Sequence, residues 1–186
     1  IIFMDLTGQM IVSMPSLQDR RFFKTVIYIC AHSSDGSMGI IINKKIDYDL
    51  YPDLLEQLGI DKPSKNKKFF IRYGGPLESG RGFVLHSDDI VQKESLNIGR
   101  GVALTSTSNF FDTLAKGKGP KNSILAFGYS GWGPKQLEDE IMQNSWMPHP
   151  VETSFLFDDE VSKKWDNAYK IMGINPINLS SFSGRA

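Results

Sequence analysis

Cysteine, histidine and any surplus of one charge are what this 186-residue chain has least of. Cys30 stands alone, so neither an intramolecular disulfide nor a cysteine zinc site can form, and that usage points to a reducing cytoplasm. The three histidines, His32, His86 and His149, have no second histidine or cysteine at i+3 or i+4, so no metal and no cofactor is expected. Lysine plus arginine number 21 against 21 aspartate plus glutamate, which removes the basic excess that phosphate neutralisation by a nucleic-acid-binding domain calls for. No apolar run approaches the roughly 20 residues of a membrane span, and Ile1 to Gln9 lack the basic-then-apolar order of a signal peptide.

What is present describes a globular domain. Forty per cent of residues are hydrophobic, enough for one sizeable core, and no repeat period or long linker divides residues 1–186. Seventeen glycines and nine prolines, scattered along the chain, call for many turns between short elements. Strands are expected at Gln9–Met14, Phe22–Ala31, Met38–Asn43, Phe69–Tyr73, Gly82–His86, Ile98–Leu104, Ser123–Tyr129 and Ser154–Phe157. Ser33 to Ser37, with Gly36 after Asp35, reads as a hairpin turn. Helices are expected at Tyr51–Leu58, about Asn109–Lys116, Pro134 to about Asn144, and along the stripe Val161, Trp165, Ala168 and Met172. Strands in runs with single inserted helices define α+β.

Familiar catalytic motifs break down at identifiable residues. Gly128-Tyr129-Ser130-Gly131-Trp132 resembles a nucleophile elbow, but the bulky Trp132 stands where a glycine must let strand and helix approach. Gly117-Lys118-Gly119-Pro120 follows a helix and lacks the lysine-hydroxyl ending of a phosphate loop. Cys30 and His32 alternate onto one strand face, yet a lone cysteine within Val26 to Ala31 reads as a core residue. The helix after Pro134 carries Glu138, Asp139 and Glu140 against Lys135, a face that phosphate repels.

Five clusters in order carry a resemblance. They are Met14-Pro15-Ser16-Leu17-Gln18-Asp19 with Phe22 and Phe23, Asp35-Gly36-Ser37-Met38-Gly39 leading to Asn43, Gly74-Gly75-Pro76, Arg81 to His86, and Gly128 to Glu138. With Asn144, Trp146 and the run Leu179 to Gly184, they resemble the bacterial AlgH/YqgE family from about Gly8 onward. That resemblance implies a single α+β domain whose mostly antiparallel, bifurcated sheet folds into a pseudo-barrel with about four peripheral helices. It also implies a cytosolic protein of unassigned activity, some members being labelled putative transcriptional regulators. Arg20, Lys45 and Lys135 depart from the usual pattern, and Arg185 stands where a histidine is frequent.

The matched clusters suggest a site. Glycine turns at Gly74-Gly75 and Gly128 to Gly133 can bring backbone N–H groups to a ligand, while Arg81 and His86 flank a strand and can reach an anion. Gln136, Glu140 and Asn144, four apart, share one helix face beside Trp132, and Trp132 and Trp146 add aromatic surface with an N–H at each end. The plain alternative is that these groups satisfy backbone atoms where a twisted sheet crosses itself. Three functions follow. The first is a non-enzymatic regulatory or binding module for a small anionic ligand or a protein segment. The second is a hydrolase or transferase with His86 or Glu140 as base. The third is a regulator touching DNA, which needs a patch built from Lys62, Lys65, Lys67, Lys68, Lys116, Lys118 and Lys121. Direct DNA contact and membrane association are not expected, and a symmetric dimer is one way to cover sheet edges.

Overall fold

The computed structural model describes residues 4–46, 53, 56 and 71–180. The expected helix Tyr51–Leu58, the lysine run from Lys62 to Lys68 and the position of Arg185 lie outside the described residues, apart from Asp53 and Glu56. Nine described strands form one sheet: β1 (Gln9–Ser13), β2 (Val26–Ser33), β3 (Gly36–Ile41), β4 (Ile71–Tyr73), β5 (Leu77–Ser87), β6 (Leu96–Gly99), β7 (Val102–Thr105), β8 (Ser123–Trp132) and β9 (Trp146–Pro150). Their order is β6-β7-β5-β8-β3-β2-β1-β9, with β4 branching off β8. Every pairing is antiparallel except β4 on β8.

The fork is in β8. Its first half, Ser123 to Phe127, lies between β5 and β4, whereas Ser130 to Trp132 pairs with β3. Gly128, at φ +75°, sits where the strand changes partners. The sheet curls around a core drawn from both arms, including Met10, Tyr28, Ile40, Phe83, Leu104 and Ala126. This is the α+β architecture of a bifurcated sheet curled into a half-barrel.

Five α-helices are described: α1 (Ser108–Ala115), α2 (Gln136–Met142), α3 (Thr153–Leu156), α4 (Lys164–Met172) and α5 (Pro176–Ser180). Alternation along β2 sends Val26, Tyr28 and Cys30 to the inner core, which Trp165, Ala168 and Tyr169 of α4 close. Ile27 and Ile29 instead face a second cluster with Trp132, Leu137 of α2 and Trp146. Phe110 and Phe111 of α1 cover a third, against Val84, Leu125 and Phe127. Burial on both faces explains why β2 reads as a continuous apolar run.

Several elements differ from the sequence expectation. Ser154–Phe157 is not a strand: Thr153–Leu156 is helical, with Phe155 and Leu156 N–H groups both donating to the Glu152 carbonyl, and so short an apolar run has no diagnostic period. The last strand is β9, whose Pro148 and Pro150 disguise it; β9 ends the sheet path, where missing N–H groups are tolerated. Ile98–Leu104 is a hairpin, β6 to β7, turned by Gly99, Arg100 and Gly101 at positive φ. Gly128 to Gly133 is not a turn, because β8 continues through Trp132. Arg20–Phe22 forms a 3₁₀ turn capped by Asp19 ahead of β2. Pro134 precedes α2 rather than opening it, with Lys135 left-handed at φ +64° between them.

Candidate functional site

Two hollows meet at the far end of β8, and Trp132, Gly131 and Leu77 border both. The larger is an open groove of about 780 Å³ between the β2–β3 hairpin, the start of β5 and the end of β8. Its aromatic wall is Phe83 packed edge to face on Tyr129, with ring centroids 5.8 Å apart. It arises because β5 leaves register between Leu77 and Gly82, so Glu78 to Arg81 bulge out of the ladder. Arg81 lies over the Phe83 ring at 4.9 Å and 3.5 Å from the Glu78 carboxylate; both side chains stay about half exposed, at 52% and 51%.

A polar chain runs behind the groove. Ser37 Oγ is 3.0 Å from Nδ1 of His32, which β2–β3 pairing places directly opposite. His32 Nε2 stands 2.6 Å from Glu138 Oε1 of α2. The imidazole is fully buried. Cys30 and His32 do not share a face as their spacing suggests. The β2–β3 register shifts between Ile29 and Ala31, so Cys30 points into the inner core and His32 turns toward α2. Burial pushes the Cys30 thiol well above its usual range.

The smaller hollow is a cavity of about 180 Å³ under α2. Glu140 lies between the two tryptophans, and its Oε1 accepts from both Trp132 Nε1 and Trp146 Nε1 at 3.3 Å. Those rings pack edge to face at 6.1 Å, and Phe22 meets Trp146 at 5.5 Å. Glu140 Oε2 is buried and has no hydrogen-bond partner among the described residues. At the rim Arg21 grips Asp19 with two prongs, Nε to Oδ1 at 3.1 Å and Nη2 to Oδ2 at 2.8 Å. The Arg21 hydrogen bond holds the Asp19 carboxyl below its ordinary value.

Of the residues singled out in sequence, Trp132, Gln136 and Glu140 converge on this cavity, and Arg81 joins Trp132 at the groove. Gln136 Oε1 accepts from Gly133 N–H, closing the entry to α2. Gly74 and Gly75 are at the sheet fork, where Gly74 N–H donates to Phe127 O and its carbonyl accepts from Ile41 N–H. His86 borders neither hollow. Its ring is buried against Phe110, with Nδ1 on the Ser87 carbonyl and Nε2 on Thr105 Oγ1, and burial lowers its pKa. Asn144 is exposed at the exit of α2 at φ +60°.

Sequence reasoning missed Ser37, Glu138 and the Asp19–Arg21–Phe22 rim. A signal for the first existed: a two-residue turn at Ser34-Asp35 pairs position 33 with 36 and therefore 32 with 37. Among the described residues no group of three or more His, Cys, Asp or Glu could hold a metal, and no helix is long and apolar enough to cross a membrane.

The forked, half-barrel α+β sheet carries a groove and a cavity at one end of β8, the strand its two arms share. A family model described as AlgH-like matches residues 10–177, and the chain belongs to that family. It is 41% identical over 184 residues to a UPF0301 protein of Cereibacter sphaeroides, covering 98% of this chain and all of the relative. A UPF0301 protein of Beijerinckia indica is 44% identical over 189 residues, covering 97% and 92%. The solution structure of the AlgH protein from Pseudomonas aeruginosa superposes with a TM-score of 0.80 at 31% identity, covering 100% of this chain and 97% of that one. A crystal structure from Corynebacterium diphtheriae, at 18% identity and a TM-score of 0.68 over 92% and 89%, shares the fold.

Proposed function

We propose that the protein is a cytosolic binding module that holds a small anionic ligand or an extended protein segment in the groove beside Arg81. The observation that carries this reading is a groove of about 780 Å³ with an aromatic wall and a half-exposed guanidinium above it. Apolar walls with a few placed polar groups are the usual make-up of ligand sites. Glu78 pairs with Arg81, so an incoming carboxylate or phosphate exchanges one ion pair for another. The acidic entry to α2, Glu138 and Asp139, argues against duplex contact through that helix.

Thermal unfolding of wild type and Arg81→Ala across nucleotides, phosphorylated metabolites and acidic peptides tests this reading. A ligand at about a hundred times its Kd adds roughly 2.7 kcal/mol, a Tm rise of about 5 to 10 °C for a chain of this size. The rise is expected for one ligand class and is lost in Arg81→Ala. Equal shifts in both proteins would remove Arg81 from the site.

The Ser37–His32–Glu138 chain favours a second reading, an ester hydrolase working in the same groove. Ser37 Oγ would add to the ester's acyl carbon as its proton passes to His32 Nδ1. The imidazolium would return that proton to the departing alcohol, and water would then release the acid. A fluorophosphonate probe followed by peptide mass mapping decides: an adduct on Ser37 that Glu138→Gln diminishes supports it, and an unlabelled Ser37 rejects it.

A further inference from the structure

We propose that the cavity under α2 is a receptor for an alkylammonium group, which deepens the binding reading by naming the chemistry of a second, neighbouring pocket. The first argument is hydrogen bonding. Glu140 Oε1 already accepts from two indole N–H groups, while Oε2 is buried with no hydrogen-bond partner among the described residues. Leaving a buried acceptor unmade is unfavourable, and more so for a charged group, so the site favours an occupant that brings an N–H donor. A single free oxygen suits the point-like ammonium better than the two-pronged guanidinium.

The second argument is charge. Two carboxylates, Asp19 and Glu140, border the cavity against one guanidinium, and both prongs of Arg21 are spent on Asp19. One positive charge is therefore needed for balance, and an anion is repelled. The third is the wall. Phe22, Trp132 and Trp146 line the space, aromatic side chains of the kind that receive a cation and the methylenes behind it. At about 180 Å³ the cavity is several times the roughly 30 Å³ share of one water, leaving room for a short alkyl chain.

The same ammonium can come from a free amine or from a lysine side chain of a partner. Titration of the full chain at constant ionic strength with n-butylamine, putrescine, an acetylated lysine-containing tripeptide and sodium acetate separates them. The readout is the indole N–H resonances. Trp132 and Trp146 are expected to shift saturably with the amines while Trp165, packed on Tyr169 in the inner core, stays still. A tripeptide at least tenfold tighter than putrescine assigns a protein source, and the reverse assigns a metabolite. Glu140→Gln is expected to weaken the amine at least tenfold, and Arg81→Ala to leave it unchanged. Because the resonances report in wild type, the result stands even where Glu140→Gln fails to fold. No saturable shift with any amine, or an equal response to acetate, overturns the proposal. Loss of the amine response with the groove ligand's Tm shift intact rejects this pocket alone, and the converse rejects the groove.

Discussion

Gly75 and Gly128 pass so closely that a Cβ on Gly128 would stand 2.3 Å from the Gly75 carbonyl oxygen. The crowding extends to the neighbours, since a Cβ on Gly74 would fall 2.3 Å from the Gly128 carbonyl oxygen and one on Gly75 2.1 Å from the Tyr129 carbonyl carbon. Both glycines also have positive φ, +154° and +75°. Here β8 leaves one arm of the sheet for the other, and two backbones fill space that side chains would otherwise occupy. The glycines thus create the fork that sets the groove beside the cavity.

Gly128→Ala is therefore expected to lower the unfolding free energy by about 3 kcal/mol or more, through backbone strain and a clash with main-chain atoms. Gly80→Ala, with nothing within 4 Å of its Cβ and no positive φ, is expected to stay within about 0.5 kcal/mol. Urea unfolding of the two variants beside wild type measures both. Equal losses would mean that the crossing is looser than the backbone geometry indicates.

His86 makes stability depend on pH. Burial lowers its folded-state pKa beneath the ordinary value of 6.5, so below 6.5 the unfolded chain takes up a proton that the folded chain resists. The contribution is fully present above pH 6.5 and is lost as pH falls from there through the folded value. Urea midpoints between pH 7 and 5 should decline in wild type, and His86→Gln should flatten that decline whatever its own midpoint. An unchanged slope would show that the ring titrates normally.

Cys30 is expected to be inert. Its thiol is 1% exposed, is raised in pKa by burial, and has the Tyr28 carbonyl oxygen 3.7 Å away. Reaction with a chromogenic disulfide should be absent in buffer and should appear along the urea unfolding curve. Rapid native labelling would show that β2 opens locally.

Much of the architecture was legible because it follows from local chemistry. The apolar run of β2, the hairpin at Ser34-Asp35 and the stripe Trp165, Ala168 and Met172 along α4 act through neighbours in the chain. Gln136 and Glu140 needed only helical spacing to be grouped, whereas Asn144, grouped with them by the same spacing, lies past the end of α2. Sequence also determined the α+β class and the family, and it excluded a disulfide framework. Tertiary structure alone decided the rest. Whether Gly74 and Gly75 face a ligand or another backbone depends on which strand lies alongside, and that strand is more than 50 residues away. A register shift between Ile29 and Ala31 turned His32 from the core toward Glu138, because side-chain direction in a strand reverses with every residue gained or lost. Phe22, Arg21 and Asp19 reach the cavity only because β9 pairs with β1 and carries Trp146 beneath them. Local residues chose the elements, and long-range pairing chose which side chains meet.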